Sequence, residues 1–128
     1  MPQITVDYAA PLAAAFDRHA FALALHTVTE QTIGASVAAC KTRFRRIEEC
    51  VIAEGEERVD MIHIEVAVHS GRTQEAKTEL ARAVCEMART RLHAAPGRRL
   101  DVSVHVGEMD RQAYAAHQED ARDQGVPA

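Results

Sequence analysis

The chain has 128 residues, with 15 Lys+Arg against 19 Asp+Glu, for a net charge of −4. That length suits one domain able to close a hydrophobic core. With 47% hydrophobic and 27% charged residues, the composition is that of a soluble globular protein rather than a disordered one. No excess of cations is present to neutralise phosphates, which argues against a nucleic-acid partner.

The most apolar N-terminal stretch, Ala9 to Val28, lacks a basic start and is broken by Asp17, Arg18 and His19. It reads as neither a signal peptide nor a membrane span. Three cysteines (Cys40, Cys50, Cys85) are odd in number and lack close spacing. They read as reduced structural thiols of a cytoplasmic protein, not as a disulfide framework or zinc site.

Ile4, Val6 and Tyr8 alternate with Thr5 and Asp7, which predicts a first strand. Pro11 is expected to open a helix with Leu12, Phe16, Ala20 and Leu23 on one stripe, running to about Val28. A second strand is expected over Ala39 to Glu48. Its Cys40, Thr42 and Phe44 share one face, and Lys41, Arg43 and Arg45 share the other. Ala53 to Glu57, around Gly55, reads as a hairpin turn. The third strand sets Ile62, Ile64, Val66 and Val68 against His63, Glu65, Ala67 and His69. Thr73 is the expected N-cap of a second helix, with Glu75 in its first turn and Leu80, Val84, Met87 and Leu92 on its apolar stripe. Pro96-Gly97 ends it. A fourth strand carries Leu100, Val102, Val104 and Val106. From Met109 the tail is polar, with a short helix expected around Ala113 to Arg122.

The order is therefore β-α-β, hairpin, β-α-β. Ile4 to Thr42 and Ile64 to Val102 span the same length (42 − 4 = 102 − 64 = 38). This predicts an α+β fold: two pseudo-symmetric β-α-β units (residues 2–48 and 58–107) in a four-stranded sheet with both helices on one face, and a tail over 108–128. The other sheet face is polar. It is either solvated or lines an interface between subunits, because an apolar cover would leave its polar groups unsatisfied. On one strand, His63 and His69 lie about 20 Å apart at roughly 3.3 Å per residue, too far to share a metal ion.

Methionine before a small residue is normally removed, and here the second residue is Pro2. Trimming would leave a secondary amine at the head of a strand. A free α-amino group has a pKa of about 7.7–8.0, and burial and nearby cations lower it. A terminal proline among arginines is thus a candidate base for moving a proton between carbons.

The M-P-x-I-x-V start, the C-K-T-R segment (Cys40 to Arg43), the A-E-G turn (Ala53 to Gly55) and S-G-R-T (Ser70 to Thr73) extend that pattern. With the doubled β-α-β layout, the chain resembles the tautomerase superfamily. Within it, the resemblance is to the 5-carboxymethyl-2-hydroxymuconate isomerases, over about Pro2 to Val106. The resemblance implies trimers with active sites near subunit boundaries, and an N-terminal proline as general base. Pro2 is then the base, and Arg43 and Arg72 match arginines that hold substrate carboxylates. Lys41 stands where another arginine is expected, supplying charge without a planar bidentate fork. No cofactor, metal, membrane or nucleic acid is implied. The partner is a small anionic carboxylate substrate. Met61-Ile62, which takes the place of Pro2 in the second half, has no amine, so that half is expected to be silent.

The expectation is thus a cofactor-independent isomerase acting on an unsaturated 2-hydroxy or keto di- or tricarboxylic acid. Two alternatives stand beside it: a related activity on phenylpyruvate-like enols, and a non-enzymatic ferredoxin-like module that binds a ligand or oligomerises.

Overall fold

The computed structural model describes residues 1–122. Strands β1 (Gln3–Ala9), β2 (Lys41–Ile47), β3 (Val59–His69) and β4 (Arg99–Met109) form one sheet in the order β2-β1-β3-β4. β1 is parallel to β2, β3 is parallel to β4, and β1 meets β3 antiparallel at the centre. Helix α1 (Arg18–Ile33) joins the first parallel pair and α2 (Gln74–Arg91) the second. A parallel pair needs a crossover of this kind, so the expected β-α-β order becomes a mixed α+β sheet.

Strand alternation decides the two faces. Ile4, Val6 and Tyr8, with Ile62, Ile64, Val66 and Val68, are buried under the helices. Phe21 and Leu25 of α1, and Leu80, Val84 and Ala88 of α2, close the same core. Tyr8, Phe16, Phe21 and Phe44 meet edge-on beside it, at centroid separations from 5.4 to 6.5 Å. Each fully buried large apolar side chain contributes about 1.5–3 kcal/mol, so this one face carries most of the stability.

The first helix departs from the sequence expectation. Pro11 lies in a 3-10 turn (Ala10–Ala14), and α1 starts only after Asp17. The Asp17 carboxylate accepts from the Ala20 amide at 3.1 Å, and Gly34 closes the helix with a left-handed φ of 74°. The break resets the helical phase. Phe21, Leu25 and Thr29 face the core, whereas Leu23, expected on the stripe, is 51% exposed. Thr29 satisfies its buried hydroxyl by donating to the Leu25 carbonyl at 2.8 Å.

Three further expectations change. The turn around Gly55 is closed by a single bridge, Ile52 to Glu56, but the strands on either side of it are not neighbours, because β1 lies between β2 and β3. Ile4 pairs with Thr42 as the equal spans suggested, yet Ile64 pairs with Val104 and Val102 faces Ile62. The two halves therefore differ in register by two residues (104 − 64 = 40 against 42 − 4 = 38). The tail forms a 3-10 turn at Arg111–Ala113 and no helix over residues 114–122. The expected N-cap holds: Thr73 accepts from the Ala76 amide at 3.1 Å.

The open face is a polar lattice written by the register. Arg45 forks onto Asp7 at 2.6 and 3.0 Å, and Arg43 donates to Gln3 at 2.5 Å. His63 bonds Ser103 at 2.7 Å and Glu65 at 3.2 Å, and His105 bonds the other Glu65 oxygen. Partial burial pushes the Glu65 carboxyl up, but the bonds from His105 and His63 outweigh it and leave its pKa below the usual range. At the far end of the sheet, Arg98 grips the buried Asp60 carboxylate at 2.7 and 2.8 Å.

If α1 begins at Asp17, Asp17→Ala removes its cap and costs about 1 kcal/mol in urea unfolding. An unchanged midpoint would place the helix start back at Pro11.

Candidate active site

Pro2 precedes β1 directly and is buried. Its carbonyl accepts from the Lys41 amide at 3.1 Å, so it opens the β1–β2 ladder. Proline suits this position because a strand's first residue need not donate an amide hydrogen.

The antiparallel register then decides what surrounds the terminus. Gln3 pairs with Ala67, so the line of pairing continued outward sets Met1 opposite His69 at the end of β3. The Ser70–Arg72 loop follows immediately. On the other side, β2 starts with Lys41, whose ammonium lies 3.8 Å from the Met1 sulfur. β4 ends at Met109, and the chain turns back through Arg111 to Tyr114. Ser70 holds that turn twice: its amide donates to the Met109 carbonyl at 2.8 Å, and its hydroxyl accepts from the Arg111 amide at 3.1 Å. Tyr114 lies over the terminus. Its hydroxyl is 3.3 Å from the Gln3 side-chain amide and 3.7 Å from the Met1 sulfur, and its ring packs edge-on against His69 at 4.7 Å.

The electrostatics at this end are one-sided. The terminal amine is held below its ordinary value by burial first, then by Arg111, Arg72 and Lys41, with the Cys40 thiol opposing. His69 is also lowered, by burial, the terminal amine, Arg111 and Arg72. Its Nδ1 is buried without a hydrogen-bond partner, as is Nε of Arg72. Arg72 is fixed by donating from Nη1 to the Ile33 carbonyl at 2.7 Å. It thereby satisfies a carbonyl at the C-terminus of α1, where cations are favoured. Arg72 therefore supports the fold as well as the charge at the terminus.

Of the residues singled out from the sequence, Pro2, Lys41 and Arg72 come together. Arg43 does not join them within one chain. It lies two residues further along the edge strand β2, on the open face, bonded to Gln3. Met61 and Ile62 lie inside β3, paired with Asp101 and Val102. His69, Arg111 and Tyr114 were not picked out for this site. His69 was grouped with His63 and Glu65 for lying on the same strand face. Only the β1–β3 pairing reveals that it reaches the terminus.

The three thiols are free: Cys40 is buried, Cys85 half-buried and Cys50 exposed. Burial, then Glu30, pushes the Cys40 thiol up, away from reactivity. Among the described residues no cluster of His, Cys, Asp or Glu is arranged to hold a metal ion, and no helix is long and apolar enough to cross a membrane. A cavity of about 420 Å³ lies at the opposite end of the sheet, beside Ala9, Ile47, Cys50, Asp60 and Arg98. Its lining includes neither Met1 nor Pro2.

Comparison with known proteins gives this end of the sheet a context. No curated protein matches the sequence. Among solved structures, a 5-carboxymethyl-2-hydroxymuconate isomerase from Deinococcus radiodurans R1 superposes with a TM-score of 0.80 at 20% identity, covering 92% of this chain and 90% of that one. A 5-carboxymethyl-2-hydroxymuconate delta-isomerase gives 0.76 at 16% identity, covering 100% and 95%. A fused 4-OT wild type symmetric trimer gives 0.70 at 24% identity, covering 97% and 99%. These likenesses establish a tautomerase-like fold. The family described as 5-carboxymethyl-2-hydroxymuconate isomerase matches residues 2–122, nearly the whole chain. The resemblance carried by the N-terminal and S-G-R-T segments is thereby borne out over the non-enzymatic reading, and the chain belongs to the 5-carboxymethyl-2-hydroxymuconate isomerase family, a family of isomerases.

Proposed function

We propose that the protein is a cofactor-independent isomerase in which Pro2, freed by removal of Met1, is the general base. Its substrate is an unsaturated 2-hydroxy or keto di- or tricarboxylate, and the reference reaction is conversion of 5-carboxymethyl-2-hydroxymuconate to its keto isomer. The observation that carries this reading is the terminal amine beside Arg111, Arg72 and Lys41, which hold it below its ordinary value together with burial. Trimming transfers that amine to Pro2, one residue further into the same surroundings.

A neutral secondary amine takes a proton from a carbon next to the carbonyl. The C–H bond breaks, an N–H bond forms, and the electron pair spreads into a dienolate. The ammonium then returns the proton at another carbon, so nothing is oxidised overall. Cations positioned before reaction favour the dienolate more than the neutral ground state, which lowers the barrier. Arg72, with Nη1 held by the Ile33 carbonyl, offers its remaining guanidinium N–H groups to a substrate carboxylate, and Lys41 offers a point charge.

Assembly as a homotrimer is part of the reading, supported by the symmetric-trimer neighbour. Arg43 then has a role its own chain does not give it. It sits on an edge strand and an open polar face, the surfaces a neighbouring subunit would cover, and there it serves a substrate carboxylate at the boundary. We assign the protein to the cytoplasm, on its three free thiols.

Intact mass is expected to show loss of Met1. A verified N-terminal extension should abolish enol–keto turnover while the circular dichroism spectrum is unchanged. Full activity in that extended protein would falsify the proline mechanism.

The pH profile supplies a second test. Only the neutral amine is a base, so kcat/KM should rise with pH through an apparent pKa below the ordinary amine value near 8.0. Arg72→Ala removes a cation that disfavours protonation, so that limb should move to higher pH. It should also lower kcat/KM about tenfold or more on a carboxylate substrate. Melting temperature is measured alongside, because Arg72 also supports the end of α1. An unmoved limb and unchanged kcat/KM would remove Arg72 from the site.

A further inference from the structure

We infer that Tyr114 is a catalytic residue: its hydroxyl donates to the substrate's carbonyl oxygen and stabilises the charge that gathers there when Pro2 removes a carbon-bound proton. The inference deepens the proposed function and rests on that reading for the base and for the loss of Met1.

Three observations carry it. The first is burial. From Asp110 to Arg122 every residue is exposed except Tyr114, which is half-buried. The turn that delivers it is fastened: Asp110 accepts from the Gln112 amide at 3.0 Å, and the Ser70 hydroxyl takes the Arg111 amide at 3.1 Å. A polar segment thus turns its one inward side chain onto the chain start. The second is how the ring is held. It packs edge-on against His69 with centroids 4.7 Å apart, so its orientation does not depend on the hydroxyl. The third is what the hydroxyl does. It accepts from the Gln3 side-chain amide at 3.3 Å and donates toward the Met1 sulfur at 3.7 Å. A thioether is a weak acceptor, so the one proton Tyr114 can donate is committed to no strong partner.

The place of that sulfur matters. Met1 is bonded to the Pro2 nitrogen, so its side chain fills the space in front of the future amine. The Lys41 ammonium reaches the same sulfur at 3.8 Å. Once Met1 is removed, a substrate carbon must enter that space to lose its proton to Pro2, and its carbonyl oxygen lies one carbon away. Carboxylates are charged before and after the reaction, and cations suit them. The carbonyl oxygen is neutral at first and charged only in the dienolate. A fixed O–H donor therefore stabilises it most when that charge has formed. As the C–H bond breaks, its electron pair enters the C–C bond and the carbonyl pair moves onto oxygen. Tyr114 keeps its proton throughout. When the proline ammonium protonates another carbon, the oxygen becomes neutral again.

The test uses Tyr114→Phe, which keeps the ring against His69 and removes only the hydroxyl, in protein whose loss of Met1 has been verified by mass. Turnover of the dienol should fall about 100-fold or more in kcat, with KM and melting temperature nearly unchanged. Binding is measured separately by calorimetry with terephthalate and 2-hydroxyterephthalate. These flat dicarboxylates differ by one oxygen and have no carbon-bound proton that an amine can remove. The wild type should bind the hydroxylated probe roughly three- to tenfold tighter, the worth of one neutral hydrogen bond. Tyr114→Phe should lose that preference and keep its affinity for terephthalate. A Tyr114→Phe enzyme with wild-type kcat overturns the inference, and so does an oxygen preference that is absent from the wild type or survives the substitution. Binding needs no proton transfer, so failure of the proline mechanism leaves the probe result readable. Conversely, a silent Tyr114→Phe leaves proline-dependent turnover standing.

Discussion

The antiparallel pairing of β1 with β3 is the constraint on which the rest depends. Each β-α-β unit has only one apolar sheet face and one helix to cover it, too little to close a core by itself. Joining the units through β1 and β3 makes one continuous apolar floor, with Ile4, Val6 and Tyr8 beside Val66, Ile64 and Ile62. Because the pairing is antiparallel, the same contact brings the first residue of one unit against the last residues of the other. The chain start meets His69 and the Ser70–Arg72 loop for the reason that the core exists at all.

That arrangement also explains how a chain of net charge −4 presents a cationic end. Several of its acids are paired away from this end or with other cations. Asp7 faces Arg45, Glu65 faces two histidines, Asp60 holds Arg98, and Glu108 holds Lys77. Lys41, Arg72 and Arg111 form no ion pair among the described residues. Exposed pairs such as Arg45–Asp7 add little to stability. What they do is remove carboxylates from reach of the terminus, which leaves a local field that the sum of charges conceals.

The strands were legible in the sequence because each has one buried and one polar face, and period-two alternation records that directly. α2 was legible because its Thr73 cap and apolar stripe agree. α1 was misplaced because alanine fills Ala13 to Ala15 and fits either a 3-10 turn or an α-helix. The Asp17 cap, not Pro11, carried the true start. Strand order was not legible: the Gly55 turn suggested neighbours, and only closure of the common core puts β1 between β2 and β3. For that reason the surroundings of the chain start were only half legible. Pro2, Lys41 and Arg72 were picked out from local motifs. His69, Arg111 and Tyr114 depend on strand ends that meet across the sheet, which no spacing along the chain encodes.

Proline at the second position reconciles the demands of the fold with those of the proposed chemistry. Met1 makes no backbone hydrogen bond; the ladder begins with the Pro2 carbonyl and the Lys41 amide. Removing Met1 therefore gives up no backbone hydrogen bond, though it does give up its sulfur contacts with Lys41 and Tyr114. Any other residue at position 2 would bring an amide hydrogen needing a partner while Met1 is attached. Proline has none, so the strand head is satisfied both before and after trimming. In the proposed mechanism the amine is thus released where the sheet no longer needs the chain, beside Arg111, Arg72 and Lys41.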